Sequence, residues 1–311
     1  MKCYTRLPDC IKLDVLLSQH STLGVGGPAD YFAEVKFDPF VFALSSRCDY
    51  DVSQFVQAYE FARDNYLDIF TLGQGSNVLF ADSGFRGLVL RIKSDGVYWG
   101  DGQFWVCAGV AVSTLVRLGQ SSGLSGFEWA AGLPGTVGGA VCGNAGCYGV
   151  QFWDLVQEVI FFDGEYVQAI KKADGMSGYR WSLFKENPQW IIMAVQLSVQ
   201  PESKGNVEKK TRVAREARAS AQPKTRSAGC IFKNPVSCGT KVSAGRLIDE
   251  AGLKGVQVGR AMISHEHGNF FVNLGGANAA DFIDLIALAK SRVYTQFGVL
   301  LEEEIIKVGE F

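Results

Sequence analysis

LGQGSN, residues 72–77, is the stretch on which the reading of this chain turns. It follows the apolar DIFT of residues 68–71, so a short strand runs straight into a glycine-rich turn. Gly73 and Gly75 have access to positive φ and expose consecutive N–H groups, and Ser76 and Asn77 add side-chain donors. A concave set of donors suits a phosphate or pyrophosphate. The Lys-Ser/Thr of a P-loop is missing and no GxGxxG opens a helix here, so ATPase and Rossmann readings lose ground. A plain tight turn explains the six residues equally well.

A second glycine system, GLPGTVGGAVCGNAGCYG, spans residues 132–149. Gly132, Gly135, Gly138 and Gly139 leave no side chain to obstruct a flat ligand, and Asn144 and Tyr148 offer polar contacts. Two such systems suggest an extended dinucleotide between two domains. The run Trp129–Trp153 has 25 residues without a charge, but seven of them are glycine. A membrane-spanning helix needs apolar bulk throughout, so a buried loop system holding a ligand fits better.

With 311 residues the chain has room for two or three domains of roughly 100 residues each. Its 36 glycines exceed the usual share of about 7%. A hydrophobic content of 47% and a charged content of 20% describe an ordinary folded protein, and a net charge of −2 attracts neither nucleic acid nor an anionic membrane. Cysteines at 3, 10, 48, 107, 142, 147, 230 and 238 form no CxxC pair, and MKCYTRLPDCIKLDVLLSQH holds no apolar secretory core. Reduced thiols in a cytoplasmic protein are therefore expected, with no obligate protein partner.

The remaining pattern is α+β. Residues 55–65 read as a helix with Phe55, Val56, Tyr59 and Ala62 on one face. Residues 87–92 and 104–112 read as strands, with a turn at Asp101-Gly102 and Ser113 capping a helix through Leu118. A hairpin is expected about Asp163-Gly164 and a strand over 190–199. The polar, basic stretch 201–226 reads as a partly helical passage into another domain, with a phosphate contact as the rival to a solvated linker. Phe282, Leu285, Ile286, Ala289, Val293 and Phe297 predict a helix over 279–297, started by Asn278 and ended by Gly298. The tail GVLLEEEIIKVGEF reads as a strand, in which alternation turns Glu303 away from Glu302 and Glu304.

Three further places carry ionisable candidates. RSAGCIFKNP, residues 226–235, delivers a lone thiol, Cys230, among small residues. Tyr179 and Arg180 lie in GYRWSLF. His265 and His267 read as sharing a strand face, so a metal is conceivable, but without a third spaced ligand none is expected. There is no GxSxG elbow for serine hydrolysis.

Eight stretches, in this order, resemble one family: STLGVGGPADYF (21–32), LGQGSNVLFADSGFRGLVLRI (72–92), SGLSGFEWAAGLPGTVGGAVCGNAGCYG (122–149), YRWSLF (179–184), SAGCIFKNP (227–235), AGRLIDEAGLKG (244–255), SHEHGNFFVN (264–273) and LEEEIIKVG (301–309). The family is UDP-N-acetylenolpyruvoylglucosamine reductase, MurB, in the subtype that lacks an extra tyrosine-bearing loop. The resemblance implies an α+β fold with a two-subdomain FAD-binding region of the vanillyl-alcohol oxidase (PCMH) type and a separate C-terminal substrate domain. It implies a first FAD subdomain over 20–92, joined by the returning strand 300–311, a second over 93–205, and the substrate domain over 213–299.

The resemblance also implies chemistry. NADPH reduces FAD and leaves; the enolpyruvyl ether of UDP-N-acetylglucosamine then takes a hydride from flavin N5 and a proton, giving UDP-N-acetylmuramate for peptidoglycan. Gly73, Gly75, Ser76 and Asn77 match the FAD pyrophosphate loop, and Gly132, Pro134, Gly135 and Gly138 a second flavin contact. Arg180 matches the residue that bonds the substrate carboxylate, where a fixed cationic fork meets growing negative charge. Glu304 matches a glutamic acid that donates to the enolate, which requires the protonated form. Cys230 matches the final proton donor, most often serine in this family. A thiol, at a free pKa of about 8.5, is far more acidic than an alcohol. Tyr148, Tyr179 and Asn234 are the substrate-side candidates. Ala221 stands where relatives commonly carry a lysine, leaving Arg218, Lys224 or Arg226 to meet the diphosphate, and Glu303 replaces a common proline. Two rivals stay open beside this reading: another flavoenzyme on the same fold, and a nucleotide-sugar-binding protein without catalysis.

Overall fold

Apolar segments of two kinds, alternating and continuous, build the sheets of this protein, which a computed structural model describes over residues 7–37, 53–237 and 239–311. The chain forms two compact units. One takes residues up to Lys12, Tyr31–Gly73 and Gly87–Ala217; the other takes Leu13–Asp30, Gln74–Arg86 and Arg218–Phe311.

The N-terminal elements are β1 (Ile11–Leu16), β2 (Pro28–Val35), α1 (Ser53–Asp64), β3 (Asp68–Leu72), β4 (Val78–Phe80) and β5 (Phe85–Ile92). A four-stranded sheet runs in the order β1-β2-β5-β3, with β3 parallel to β5 and Asp68 opposite Gly87. Helix α1 buries Phe55, Ala58, Phe61 and Ala62. Val56, expected on that face, is 38% exposed. Phe55, Ala58, Tyr59 and Ala62 complete the i, i+3, i+4, i+7 stripe, and Val56 lies about 100° round the helix from Phe55.

The larger sheet of the first unit uses β6 (Val97–Gly100), β7 (Gln103–Cys107), β8 (Val156–Phe162), β9 (Val167–Lys171) and β10 (Ile191–Leu197), antiparallel throughout in the order β9-β8-β10-β7-β6. Asp101 and Gly102 have φ of 52° and 73°, the two positive values that match a tight hairpin to strand twist. Asp163 Oδ1 accepts from the N–H groups of Glu165 (2.8 Å) and Tyr166 (2.7 Å) and closes the second expected hairpin. Strand β7 stops at Cys107 rather than continuing to Val112, because Val110 N turns back to Cys107 O. Helix α2 (Val112–Ser122) then starts at Val112, so Ser113 is inside it and Ala111 occupies the cap without a side-chain bond. Short α3 (Val137–Cys142) and long α4 (Lys204–Ala221) complete the unit. Its core gathers Val106, Val137, Val141, Trp153, Met193 and Val195.

The second unit holds β11 (Ser227–Cys230), α5 (Ala244–Glu250), β12 (Gln257–Val258), β13 (Ala261–Ile263), β14 (Phe270–Asn273), α6 (Ala279–Phe297) and β15 (Ile306–Val308). A sheet in the order β11-β14-β13-β12 packs beneath α6, which buries Phe282, Leu285, Ile286, Ala289 and Val293. Each of the four larger side chains contributes roughly 1.5–3 kcal/mol when fully buried. Asn278 and Gly298 end α6 as expected: Asn278 accepts from Asp281 N, and Gly298 is left-handed. Asp82 adds a second anchor there, taking the N–H of Ala279 at 2.9 Å on both carboxylate oxygens.

The tail differs from its expected form. Only Ile306–Val308 is strand, parallel to β4, and Glu303 makes an isolated bridge to Phe232. Glu304 N and Ile305 N both reach Ile231 O, and two successive amides on one acceptor do not continue a ladder. His265 and His267 lie in the loop between β13 and β14, not on a strand. Cys10, Cys107, Cys142, Cys147 and Cys230 form no disulfide, while Cys3, Cys48 and Cys238 lie outside the described residues. Among the described residues no helix is long and apolar enough to cross a membrane.

Glu303 lies between Lys290 of α6 and Lys307 of β15. Burial alone would raise its pKa; the two ammonium groups outweigh that and hold it below the ordinary carboxylate range. A depressed folded pKa stabilises above the unfolded value and loses that stabilisation as pH falls through the folded one. Glu303→Gln is therefore expected to cost about 1 kcal/mol near neutrality and nothing once wild type is protonated below the ordinary glutamate range. Melting temperatures of both proteins across that range check this; a gap that persists undiminished in acid refutes it.

Candidate active site

Loop 72–77 is where the chain passes from the first unit to the second. A Cβ on Gly73 would lie 2.4 Å from Thr136 Oγ1, so in the first unit the two glycine systems touch. Thr136 also caps α3, accepting from Gly139 N. Gly138 packs on Ala108, where a Cβ would come within 2.9 Å of its methyl group. Gly132 and Gly135 take φ of 80° and 121°, on either side of Pro134. The glycines thus serve close packing of the chain on itself, not only open space for a ligand.

In the second unit Thr22 ties the rest of the loop down. Its N–H and hydroxyl reach Gly75 O, at 3.1 and 3.4 Å, and the hydroxyl also reaches Ser227 O at 2.7 Å. The trans peptide after Gly75 therefore turns the Ser76 N–H to the opposite side from Thr22. Asn77 Nδ2 donates to Glu304 O at 3.0 Å, and Ile306 N donates to Asn77 O.

Cys230 ends β11, and its aim depends on a bulge. Ser227 pairs with Val272 and Cys230 with Phe270, so two residues on β11 oppose one on β14. Gly229, at φ 75°, supplies the left-handed residue that such a bulge needs. The next residue joins the thiol to the tail: Ile231 O accepts from Glu304 N at 2.7 Å. Asn77, Cys230 and Glu304 thus belong to one hydrogen-bonded neighbourhood, and Cys230 and Glu304 are both half-buried. Asn234 Oδ1 accepts from the N–H of Ala244, the first residue of α5, while Ser243 caps that helix. Of the basic residues weighed for the diphosphate, Arg218 is buried at the end of α4 and Arg226 lies against Gly24.

Tyr179 and Arg180 form the tip of a small hairpin in the first unit, between Ser177–Gly178 and Trp181–Ser182. Arg180 has φ 56°, an uncommon conformation for a bulky residue. Lys185 Nζ holds its carbonyl, and Ser182 Oγ donates to Cys142 O at 2.7 Å. Asn144, expected to face a ligand, is 1% exposed and bonds protein instead: Nδ2 donates to Gln151 Oε1 and Gly178 O, and Oδ1 accepts from Trp153 N. Burial pushes the Cys142 thiol up, with Lys185 opposing. Tyr148 is 61% exposed and lines an open, largely apolar pocket of about 890 Å³ with Trp129, Val150, Leu155, Asn206 and Lys209.

Comparison with known proteins gives the family. Residues 222–308 match the C-terminal domain of UDP-N-acetylenolpyruvoylglucosamine reductase, and residues 50–169 match an FAD binding domain. The reductase of Carboxydothermus hydrogenoformans is 36% identical over 299 residues, 94% of this chain and 92% of its own length. That of Chlamydia muridarum is 36% identical over 301 residues, 96% of this chain and 94% of its own. The crystal structure of the reductase (MurB) from Thermus caldophilus superposes with a TM-score of 0.77 at 36% identity, over 96% of this chain and all of that one. This chain belongs to the UDP-N-acetylenolpyruvoylglucosamine reductase family.

A MurB chain is an FAD-dependent oxidoreductase, and the residues present fit that cofactor. Loop carbonyls are engaged by Thr22 and the tail, the peptide geometry points the Ser76 amide away from Thr22, and an uncharged glycine stretch adjoins Gly73. Sequence reasoning gave Asn144 a ligand contact where it bonds protein, and it missed Asn269 and the bulge at Gly229. Asn269 had one signal, a polar residue opening the apolar run FFVN.

Gly229→Ala has room for its methyl group, with no atom within 4 Å, but not the backbone for it. The left-handed conformation of a residue with a Cβ costs about 1–2 kcal/mol. The variant is expected to melt several degrees lower and to change the rate at which iodoacetamide alkylates Cys230. An unchanged alkylation rate would mean that the bulge does not aim the thiol.

Proposed function

We propose that this chain catalyses the NADPH-dependent, FAD-mediated reduction of the enolpyruvyl ether of UDP-N-acetylglucosamine to UDP-N-acetylmuramate, in the cytoplasm, for peptidoglycan precursor synthesis. The observation that carries the reading is the bond from Glu304 N to Ile231 O, the residue after Cys230, with Asn77 of the glycine loop bonded to Glu304 O. When bound, FAD supplies the hydride that NADPH provides and the terminal carbon of the enolpyruvyl group receives. The protein's own residues handle the charge and the proton. Arg180 pairs with the substrate carboxylate, beside which negative charge grows. Glu304, protonated, donates a hydrogen bond to the enolate oxygen. Cys230 gives its proton to the carbon next to the carboxylate and is left as a thiolate, which regains a proton from solvent before the next turnover. The pocket at Tyr148 is large enough for the nucleotide end of the substrate, with apolar walls for a base and Lys209 for phosphate.

The test is a two-step stopped-flow experiment on flavin absorbance. NADPH bleaches the anaerobic enzyme, and addition of the enolpyruvyl substrate restores the colour. In Cys230→Ala the bleaching is expected to be unchanged, while muramate formation falls by about 10²–10⁴-fold, the usual worth of a positioned acid. Equal product rates would remove Cys230 from the mechanism. Wild type whose reduced flavin ignores the substrate would end the proposal as a whole.

A further inference from the structure

The fold uses one buried side chain as a substitute for backbone next to the proton donor. Asn269 is 2% exposed and stands just before β14. Its Nδ2 donates to Phe232 O at 2.8 Å and its Oδ1 accepts from Phe232 N at 2.9 Å. Its own carbonyl accepts from Ile231 N at 2.9 Å, and its own N–H donates to His267 Nδ1 at 3.1 Å. A carboxamide carries the same donor and acceptor pair as a peptide group. Here it extends the β11–β14 pairing beyond Cys230 and Phe270, where the β14 chain has turned away at Gly268.

The other edge of the same segment is taken by the tail. Ile231 O receives Glu304 N and Ile305 N, and Lys233 N donates to Glu302 O at 2.8 Å. Residues 231–233 are thus the middle of three hydrogen-bonded segments, with Asn269 on one side and Glu302–Ile305 on the other. Cys230 leaves one end of that middle segment, and Glu304 is set by its first carbonyl.

We propose that Asn269 is a positioning residue, whose side-chain amide clamps the Phe232 peptide and thereby keeps Cys230 and Glu304 in register with each other. It touches neither substrate nor cofactor. The alternative role is general support of the fold, and the two differ in what they predict. The inference rests on the proposed function for its kinetic meaning, but the geometry of the thiol is open to a separate readout. His267 supports the clamp from behind. Its Nδ1 must be unprotonated to accept from Asn269 N, and burial, with Lys254 nearby, lowers its pKa in that direction.

The experiment compares Asn269→Ala with wild type as the full-length, FAD-loaded protein. Asn269→Asp, which keeps the volume but replaces the donor by an acceptor, serves where the alanine variant fails to fold. Flavin reduction by NADPH is expected to stay within about twofold, since it does not involve the thiol, while the limiting rate of reoxidation by substrate falls by roughly 10²-fold. The substrate concentration at half-saturation is expected to change little. Iodoacetamide alkylation of Cys230, without substrate, is expected to change severalfold. A variant that melts lower but is reoxidised and alkylated at wild-type rates shows mere structural support and overturns the inference. Wild type that is not reoxidised by the substrate refutes the proposed function instead. The alkylation arm then decides alone: a changed rate upholds the clamp and an unchanged rate overturns it.

Discussion

The peptide segment Ile231–Phe232 is hydrogen-bonded on both of its edges, and the second unit is organised around that fact. Its amides go to Asn269, and its first carbonyl holds the tail through Glu304. A thiol one residue upstream and a carboxyl group on the tail are otherwise 74 residues apart in sequence, 230 against 304. Flexible side chains on separate loops would hold such a pair poorly, because ordering them costs conformational entropy each time they meet. Here the entropy is lost once, on folding, and bonds made to main-chain groups of residues 231, 232 and 304 set the pair. The bulge at Gly229 completes the device by turning the strand just before the thiol.

The first unit solves a similar problem with different parts. Asn144, Tyr148 and Arg180 are all left-handed non-glycine residues, each costing of order 1 kcal/mol or more. Such conformations persist where the surroundings over-determine them. Asn144 provides that restraint: its buried amide joins Gln151, Trp153 and Gly178, the last being the residue before the Tyr179–Arg180 tip. Both units therefore use a buried asparagine to hold backbone beside a candidate site residue. A side-chain amide suits the task because it satisfies a carbonyl and an N–H together and carries no charge that burial would penalise.

What could be read from the sequence was what local physics determines. Helix α6 appears with both of its ends, since the cap at Asn278, the left-handed Gly298 and the apolar stripe all lie within the segment itself. The hairpins at Asp101-Gly102 and Asp163-Gly164 are likewise local. The errors share an opposite origin. Ser113 has the right chemistry for a cap, but the bonds of Val110 and Val112 to Cys107 and Gly135 fix the helix start two residues earlier. The tail has strand-like composition, yet a distant carbonyl, Ile231 O, interrupts it. Asn144 reads from sequence as facing a ligand because its partners, Gly178 above all, are remote in sequence. The family resemblance carried the rest of the site, and it could not indicate which residues support those it names.

These supports bear on how a cysteine could serve at position 230, which the family resemblance matches to a residue that is most often serine. Replacing oxygen by sulfur lengthens the side chain and weakens its hydrogen bonds, so a donor held by its own hydroxyl contacts would lose its aim. Cys230 takes its direction from the Gly229 bulge behind it and the clamped Ile231–Phe232 peptide ahead of it, neither of which involves the side-chain heteroatom. Backbone positioning leaves the identity of the donor atom free to vary with the chemistry. In the proposed reaction the thiol's greater acidity favours proton delivery to a carbanion, at the cost of a reactive thiolate that must be recharged every cycle.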